Sequence, residues 1–400
     1  MATRPTVRVI TFNIHEETKS NIPEHEQSDG IIEERIMWET REDTIGIVPA
    51  ASTQPALAPP DNTADANTAD NSPAVLLAED VPDDESARGE SIASSSTSVT
   101  ESVLEYRIEN GRTYHKYKDG KYHLPNDERE NDRLDVQHNM WLLTFDNRLG
   151  TAPPNDPNSK VGRVLDVGTG TGIWAMEFGE EHPDAEVLGV DLSAIQPEFT
   201  PTNVKFQIDD IEEPWTYSQT FDYIHSRTMT FSVADWKEYI QKCYNNLSPN
   251  GYLELNEVDL WPKSDDETLK DDSAVLKFVR LWAEAAVMFG RPFQDIRVLK
   301  DIMIEIGFED VYAQMFKWPT NSWPKDRKHR ELGFWNHDNF CAGLEGFMMA
   351  PLTRAHNWTK EEVTVFGVEV RNDMRNKNIH AYSAVWSIYG RKPSDSEASK

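Results

Sequence analysis

Residues 163–174 read RVLDVGTGTGIW, an apolar run that ends in an aspartate and three alternating glycines. Glycine weakens a strand and packs nothing, so three of them after one serve a positive-φ turn or a ligand that needs bare backbone close by. The residues after the turn restrict the fold further. GIWAMEFGEEHP is helix-like and stops at Pro183, and a second strand-like run, EVLGVDL, comes next. Strand, glycine turn, helix and strand form the unit of an open parallel sheet, which binds ligands at the C-terminal tips of its strands.

The alternation continues. VKFQID and FDYIHSR read as strands, ADWKEYIQKCYNNL as an amphipathic helix, and GYLELNEVD as a fifth strand. Two helices, DDSAVLKFVRLWAEAAVMFG and DIRVLKDIMIEIGF, precede a strand in DVYAQMFKWP. Helical stretches cover Lys325 to Met349 and Lys360 to Arg375, and IHAYSAVWSIYGRK closes the chain as a strand. Short apolar strands separated by helices predict an α/β fold, its parallel sheet buried on both faces. Upstream, ENGR and KDGK are turn signals, and NDERENDRLDVQHNMWLLTFDNRL predicts a helix capped by Asn126 or Asp127. Its Leu134, His138, Trp141, Leu142 and Phe145 share one face.

From residue 39 to residue 105 there is no Phe, Trp or Tyr, and the segment includes ASTQPALAPPDNTADANTADNSPA and SIASSSTSVT. Such a stretch buries too little apolar surface to offset its ordering entropy. We therefore divide the chain into a disordered tail (1–105), a helical lid (106–150) and the α/β domain (151–400). TVRVITFNI and IIEERIMWE, within the tail, read either as segments that order on a protein partner or as plain tail.

The formal net charge is −29. An acidic chain is repelled by nucleic-acid phosphates and by anionic bilayers, so neither is an expected partner. No run of about 18 apolar residues and no signal-peptide core is present. The two cysteines, Cys243 and Cys341, cannot build a disulfide framework or a cysteine metal site, and no metal is expected. The expected location is the cytoplasm; KDRKHR (Lys325 to Arg330) reads as a solvated helix face or as a nuclear import signal.

The glycine loop fits two templates. Gly170, Gly172 and Ala175 match the G-x-G-x-x-A of dinucleotide sites, while Gly168, Gly170 and Gly172 with Asp166 match D-x-G-x-G-x-G. Charge separates them. A pyrophosphate at the helix N-terminus is opposed by the acid at Asp166. S-adenosylmethionine carries no phosphate but has an ammonium and a sulfonium, which an aspartate favours. Asp191, nineteen residues after Gly172, ends the second strand, where a carboxylate accepts from ribose hydroxyls; it also reads as a helix cap. Leu192 follows it as a further contact. Asp210, after the third strand, is placed to accept from the adenine amine while the Ile211 amide donates to the ring; Asp209 competes for that role.

With these residues in place the chain resembles the class I S-adenosylmethionine-dependent methyltransferases from about Arg163 to Lys392. The resemblance implies a Rossmann-like sheet of seven strands with the last antiparallel, and cofactor contacts at Asp166, Gly168, Gly170, Gly172, Asp191 and Asp210. ENGRTYHKYKDGKYHLPNDERENDRLDVQHNMW, VLDVGTGTGIWAMEF, FDYIHSR and LSPNGYLELNEVD are similar to the fungal LaeA-like family, from about Tyr106 to the C-terminus. That family includes global regulators of secondary metabolism and enzymes encoded beside natural-product pathways. Its loop often carries cysteine where Thr169 stands here.

Methyl transfer to a nucleophile rests largely on positioning. The resemblance associates amide and adenine acceptors with Asn-Pro-Pro-aromatic after the fourth strand; HSRTMTF stands there instead, which disfavours both. His225 is the candidate base for a hydroxyl acceptor, or it fixes the loop through a hydrogen bond. Arg227 binds the cofactor carboxylate or pairs with Glu254 or Glu257. Tyr114 and His115 fold over the cofactor or pack the lid. The Phe-, Trp- and Met-rich region from Phe334 to Met349 forms an acceptor wall or ordinary core. Two functions fit these residues: an enzyme acting on a small molecule, and a nuclear regulator that works through protein partners held by the tail.

Overall fold

The computed structural model describes residues 106–394. The expected tail, 1–105, with its TVRVITFNI and IIEERIMWE segments, lies outside the described residues. The chain enters through a hairpin, β1 (Tyr106–Glu109) and β2 (Arg112–His115), whose tight turn uses Asn110 and Gly111 at positive φ. Helix α1 (Glu128–Thr144) comes next; Asp127 caps it by accepting the Glu130 N–H at 3.2 Å.

The central sheet then builds from β3 (Arg163–Val167), α2 (Ile173–Glu181), β4 (Glu186–Asp191), β5 (Val204–Ile208), β6 (Phe221–Arg227), α3 (Trp236–Asn246) and β7 (Leu247–Val258). The two-residue β8 (Lys263–Ser264) leads to α4 (Ala274–Met288), α5 (Leu299–Ile306) and β9 (Glu309–Pro319). Helices α6 (Arg327–Ala355) and α7 (Lys360–Arg375) and strand β10 (Ala381–Arg391) complete the domain. Strand order is β5-β4-β3-β6-β7-β10-β9, and β8 pairs the first two residues of β10 across from β9. Strands β3 to β7 are parallel; β10 runs antiparallel to β7 and to β9. The expected seven strands are present, and the short β8 is an addition that its two residues did not signal.

Both faces of the sheet are buried. On one, Trp236, Ile240 and Cys243 of α3 and Leu299 and Met303 of α5 pack on Leu165, Val167, Ile224 and Leu253. On the other, Trp174, Ala175 and Phe178 of α2 pack on Val164, Val187 and Tyr223. A separate helical cluster joins α4, α6 and α7 around Phe278, Leu344, Met348, Phe366 and Val370. It absorbs much of the Phe- and Met-rich region, for which ordinary core was one of the two readings: Phe347, Met348 and Met349 are core, and Phe334 is exposed. Helical spacing alone could not say which neighbour these residues face. No helix among the described residues is long and apolar enough to cross a membrane.

Candidate active site

One cavity opens over the C-terminal tips of β3, β4, β5 and β6, with about 1230 Å³ of empty space including its mouth. It is lined by the expected Asp166, Gly168, Gly170, Asp191, Leu192, Asp210, Ile211, His225 and Arg227. Gly168, Gly170 and Gly172 adopt φ of 68°, 57° and 80°, the left-handed region that other residues enter only with strain. At Gly172 a Cβ would also lie 2.3 Å from Phe206 Cζ, so the ring packs directly on bare backbone.

The loop's amides decide between its two templates. Gly168 and Thr169 both donate to the Val190 carbonyl (2.9 and 3.0 Å), Gly172 to the Thr169 carbonyl (2.9 Å), and Gly170 to the Asp191 carboxylate (2.9 Å). A pyrophosphate would require such donors to face outward; four of them are consumed inside the fold. The strand tips bring four aspartates to the cavity, Asp166, Asp191, Asp209 and Asp210, and Lys121, Arg133, Arg227 and Arg291 line it as well. Carboxylate acceptors at the strand tips, with a cation beside them, fit a nucleoside that carries an ammonium, a sulfonium and a carboxylate.

Asp191 does two jobs at once. Its carboxylate takes the Gly170 N–H and the Ser193 N–H, the latter also at 2.9 Å, so it closes the turn after β4 as the cap alternative implied. It still lines the cavity, and burial pushes its pKa up to about 6 against the opposing amides of Ser193, Gly170 and Leu192. Asp210 is almost wholly buried; it accepts the Glu212 N–H at 3.0 Å and pairs with the Lys121 ammonium. Asp209 accepts the Asp210 N–H, so its role is to hold the turn.

His225 sits at the tip of β6 but is 1% exposed. Its Nδ1 meets Asp166 Oδ1 at 2.8 Å, its Nε2 faces the Asn256 Nδ2 donor at 3.3 Å, and its ring stacks on Trp174 at 3.7 Å. The arrangement assigns the proton to Nδ1 and occupies the Nε2 lone pair. The geometry therefore favours the loop-fixing role over the base.

Arg227 pairs with neither expected acid. Glu254 accepts from the Thr151 and Ala152 amides and from Tyr223, and Glu257 from the Met229 amide and the Thr230 hydroxyl. The Arg227 guanidinium instead donates to His138 Nδ1 at 3.2 Å, and His138 Nε2 donates to Glu177 at 2.9 Å. Burial pulls Arg227 down to about 10, which leaves it charged at neutral pH and facing the cavity.

Of the two readings of Tyr114 and His115, the structure takes the packing one. Tyr114 and His115 are buried away from the cavity, with Tyr114 sandwiched by the Arg107 and Arg354 guanidiniums at 5.7 and 5.0 Å. The roof is made by the non-helical Lys121, Tyr122, Pro125 and Asn126 and by Arg133, Leu134 and Gln137 of α1. Tyr122 stacks on Phe231, Phe231 packs tilted against Trp282, and Trp282 stacks on Phe347, so the aromatic region of α6 backs the cavity from two rings away. Lys121, Tyr122, Met229, Phe231 and Arg291 went unread in the sequence because only the fold brings them to the strand tips.

Residues 137–313 match a family model described as a methyltransferase domain. The methyltransferase pytC of Aspergillus terreus is 40% identical over 301 residues, spanning 75% of this chain and 92% of the relative. The secondary metabolism regulator LAE1 of Cochliobolus heterostrophus is 38% identical over 291 residues, 72% of this chain and 94% of that protein. The chain belongs to the LaeA-like methyltransferases. A further relative, from Emericella nidulans, carries the name protein-methionine methyltransferase laeA and is 33% identical over 72% of this chain and 77% of its own length. As a member of this family the protein is an S-adenosyl-L-methionine-dependent methyltransferase; of the expected contacts, Asp166, Gly168, Gly170, Asp191, Leu192, Asp210, Ile211 and Arg227 line the cavity and Gly172 does not.

Proposed function

We propose that this LaeA-like methyltransferase acts on a small apolar molecule of fungal secondary metabolism. One observation carries the reading: the cavity that holds the cofactor residues continues beneath the lid between Tyr122, Met229, Phe231, Ser232 and Arg291. A roofed space faced by aromatic rings suits a flat acceptor that enters whole. A protein side chain presented from a folded surface would need an open approach.

When bound, the cofactor supplies an electrophilic methyl group on sulfur. The chain's residues do the rest by placement. Asp191 would accept from the ribose hydroxyls, Asp210 and Ile211 would address the adenine edge, and the glycine loop with Asp166 would meet the ammonium. Arg227 would take the carboxylate. His225, locked between Asp166 and Asn256, is a positioning residue that holds the tips of β3 and β6 together. Tyr122 and Phe231 exclude water from the reacting end, which lowers the competing solvation of the nucleophile.

The test is to incubate the purified full chain with methyl-labelled cofactor and a fungal culture extract, then separate products by mass. Label in small molecules supports the proposal. Label confined to polypeptide overturns it and favours a regulatory, protein-directed role like that in the names of LAE1 and laeA.

A further inference from the structure

Two donors in the cavity wall have hydrogens to spare. Tyr122 lines the cavity with one ring face on Phe231, and its hydroxyl has no hydrogen-bond partner among the described residues. That hydroxyl keeps accessible surface. The charges that act on it are Glu130, Arg133 and Asp191, and the last two line the same cavity, so it points inward. Burial pushes the phenol up, so it stays protonated at neutral pH and serves as a donor.

Arg291 is the second donor, 8% exposed and also in the wall. Its Nε donates to the Ser232 carbonyl at 3.0 Å and its Nη2 to Glu212. Its Nη1 has no partner among the described residues and keeps accessible surface. Ser232 follows Phe231 in the chain, so the two donors flank one aromatic ring.

The same wall offers no base. Both oxygens of each carboxylate that lines it already hold a protein donor. Asp166 holds His225 and Thr169; Asp191 holds the Gly170 and Ser193 amides. Asp209 holds the Asp210 amide and Gln207, and Asp210 holds Lys121 and the Glu212 amide. Glu212 holds Arg291, Lys121 and the Ala234 amide. His225 Nε2 faces Asn256.

A neutral hydroxyl or a protonated amine would have to shed a proton that nothing here takes. A thioether needs no base, but it gives the donors little to hold and ends as a cation beside Arg291. An oxygen that arrives ionised needs no base and matches both donors by charge-assisted hydrogen bonds. We propose that the acceptor is an organic acid, a carboxylate or the enolate of a 1,3-dicarbonyl on an apolar frame, its charged oxygen held by Tyr122 and Arg291. A lone pair of that oxygen forms the new C–O bond as the C–S bond of the methyl donor breaks. The electron pair leaves on sulfur, and no proton moves. The product is a neutral methyl ester or enol ether. The proposal rests on the small-molecule reading above.

The experiment divides a fungal culture extract by bicarbonate partition into an acid fraction and a neutral fraction, the latter keeping alcohols and simple phenols. Each is incubated with the full chain and methyl-labelled cofactor. Label is expected from the acid fraction, in products that no longer enter bicarbonate; mild alkali then releases it from an ester and mild acid from an enol ether. Label drawn chiefly from the neutral fraction overturns the proposal, as does a product that stays acidic. Tyr122→Phe keeps the ring and removes the hydroxyl. It is expected to slow labelling of the acid fraction about tenfold and to leave S-adenosylhomocysteine affinity, read by calorimetry, within about twofold of the parent. Unchanged labelling overturns the proposal, and so does an equal loss of S-adenosylhomocysteine affinity. Label from neither fraction overturns the small-molecule reading instead.

Discussion

Lys121 and Asp210, 89 residues apart in sequence, form an ion pair across the mouth of the cavity. The lysine also reaches Glu212 at 3.0 Å, and nearby Lys118 meets Glu213 at 2.6 Å. Two lysines of the lid thus rest on the acidic turn after β5. Because Asp210 is almost fully buried, this pair is screened less than a surface one. Lys121→Met keeps the packing and removes the charge. Stopped-flow measurement is expected to show S-adenosylhomocysteine leaving several-fold faster from the variant, with a smaller dependence of that rate on salt. An unchanged rate would mean the pair does not hold the lid down.

Asp191→Ala removes the acceptor of two loop amides and of the ribose hydroxyls. Cofactor binding is expected to weaken by about 1–3 kcal/mol. The carboxylate's elevated value, about 6, adds a pH signature. Ribose hydroxyls donate to the ionised form, so S-adenosylhomocysteine affinity is expected to be flat above pH 7 and to fall as pH drops through 6. Calorimetry from pH 5 to 8 checks both, and in Asp191→Ala the fall should vanish.

Burial pushes Glu257 up to about 8, against the amide and hydroxyl donors of Met229 and Thr230. An acid whose folded value exceeds its ordinary 4.5 holds its proton more tightly folded than unfolded. Its contribution to stability is therefore complete at low pH and is lost as pH rises from about 4.5 through 8. Glu257→Gln mimics the protonated form and is expected to match the parent near pH 5 and exceed it above pH 8. Urea unfolding at a series of pH values reads this; parallel curves for the two proteins would refute it.

His225→Ala leaves the Asp166 carboxylate without its ring partner in a buried position and removes the face against Trp174. A loss of about 2–4 kcal/mol in stability is expected from the stranded charge and the cavity. If thermal melting is unchanged while methyl transfer disappears, His225 is the base after all.

Much of this protein was legible in its sequence because the signals are local. Short apolar runs separated by helical stretches marked β3 to β7, β9 and β10, and D-x-G-x-G-x-G with acids at the next two strand ends marked residues that line the cavity. These are properties of backbone sterics and of charge beside a turn, and they act over a few residues. The outcome at His225, Arg227 and the lid depended on distance in space. Which nitrogen of His225 is occupied is set by Asp166 and Asn256 on two other strands. Whether Arg227 meets an acid or His138 depends on where α1 crosses the sheet. Tyr122 and Lys121, rather than Tyr114 and His115, roof the cavity because the hairpin turns its own aromatics inward onto Arg107 and Arg354. Local sequence specified which elements form and the chemistry at their ends; long-range packing, in which each side chain's partner is chosen by the whole sheet, decided what those ends can reach.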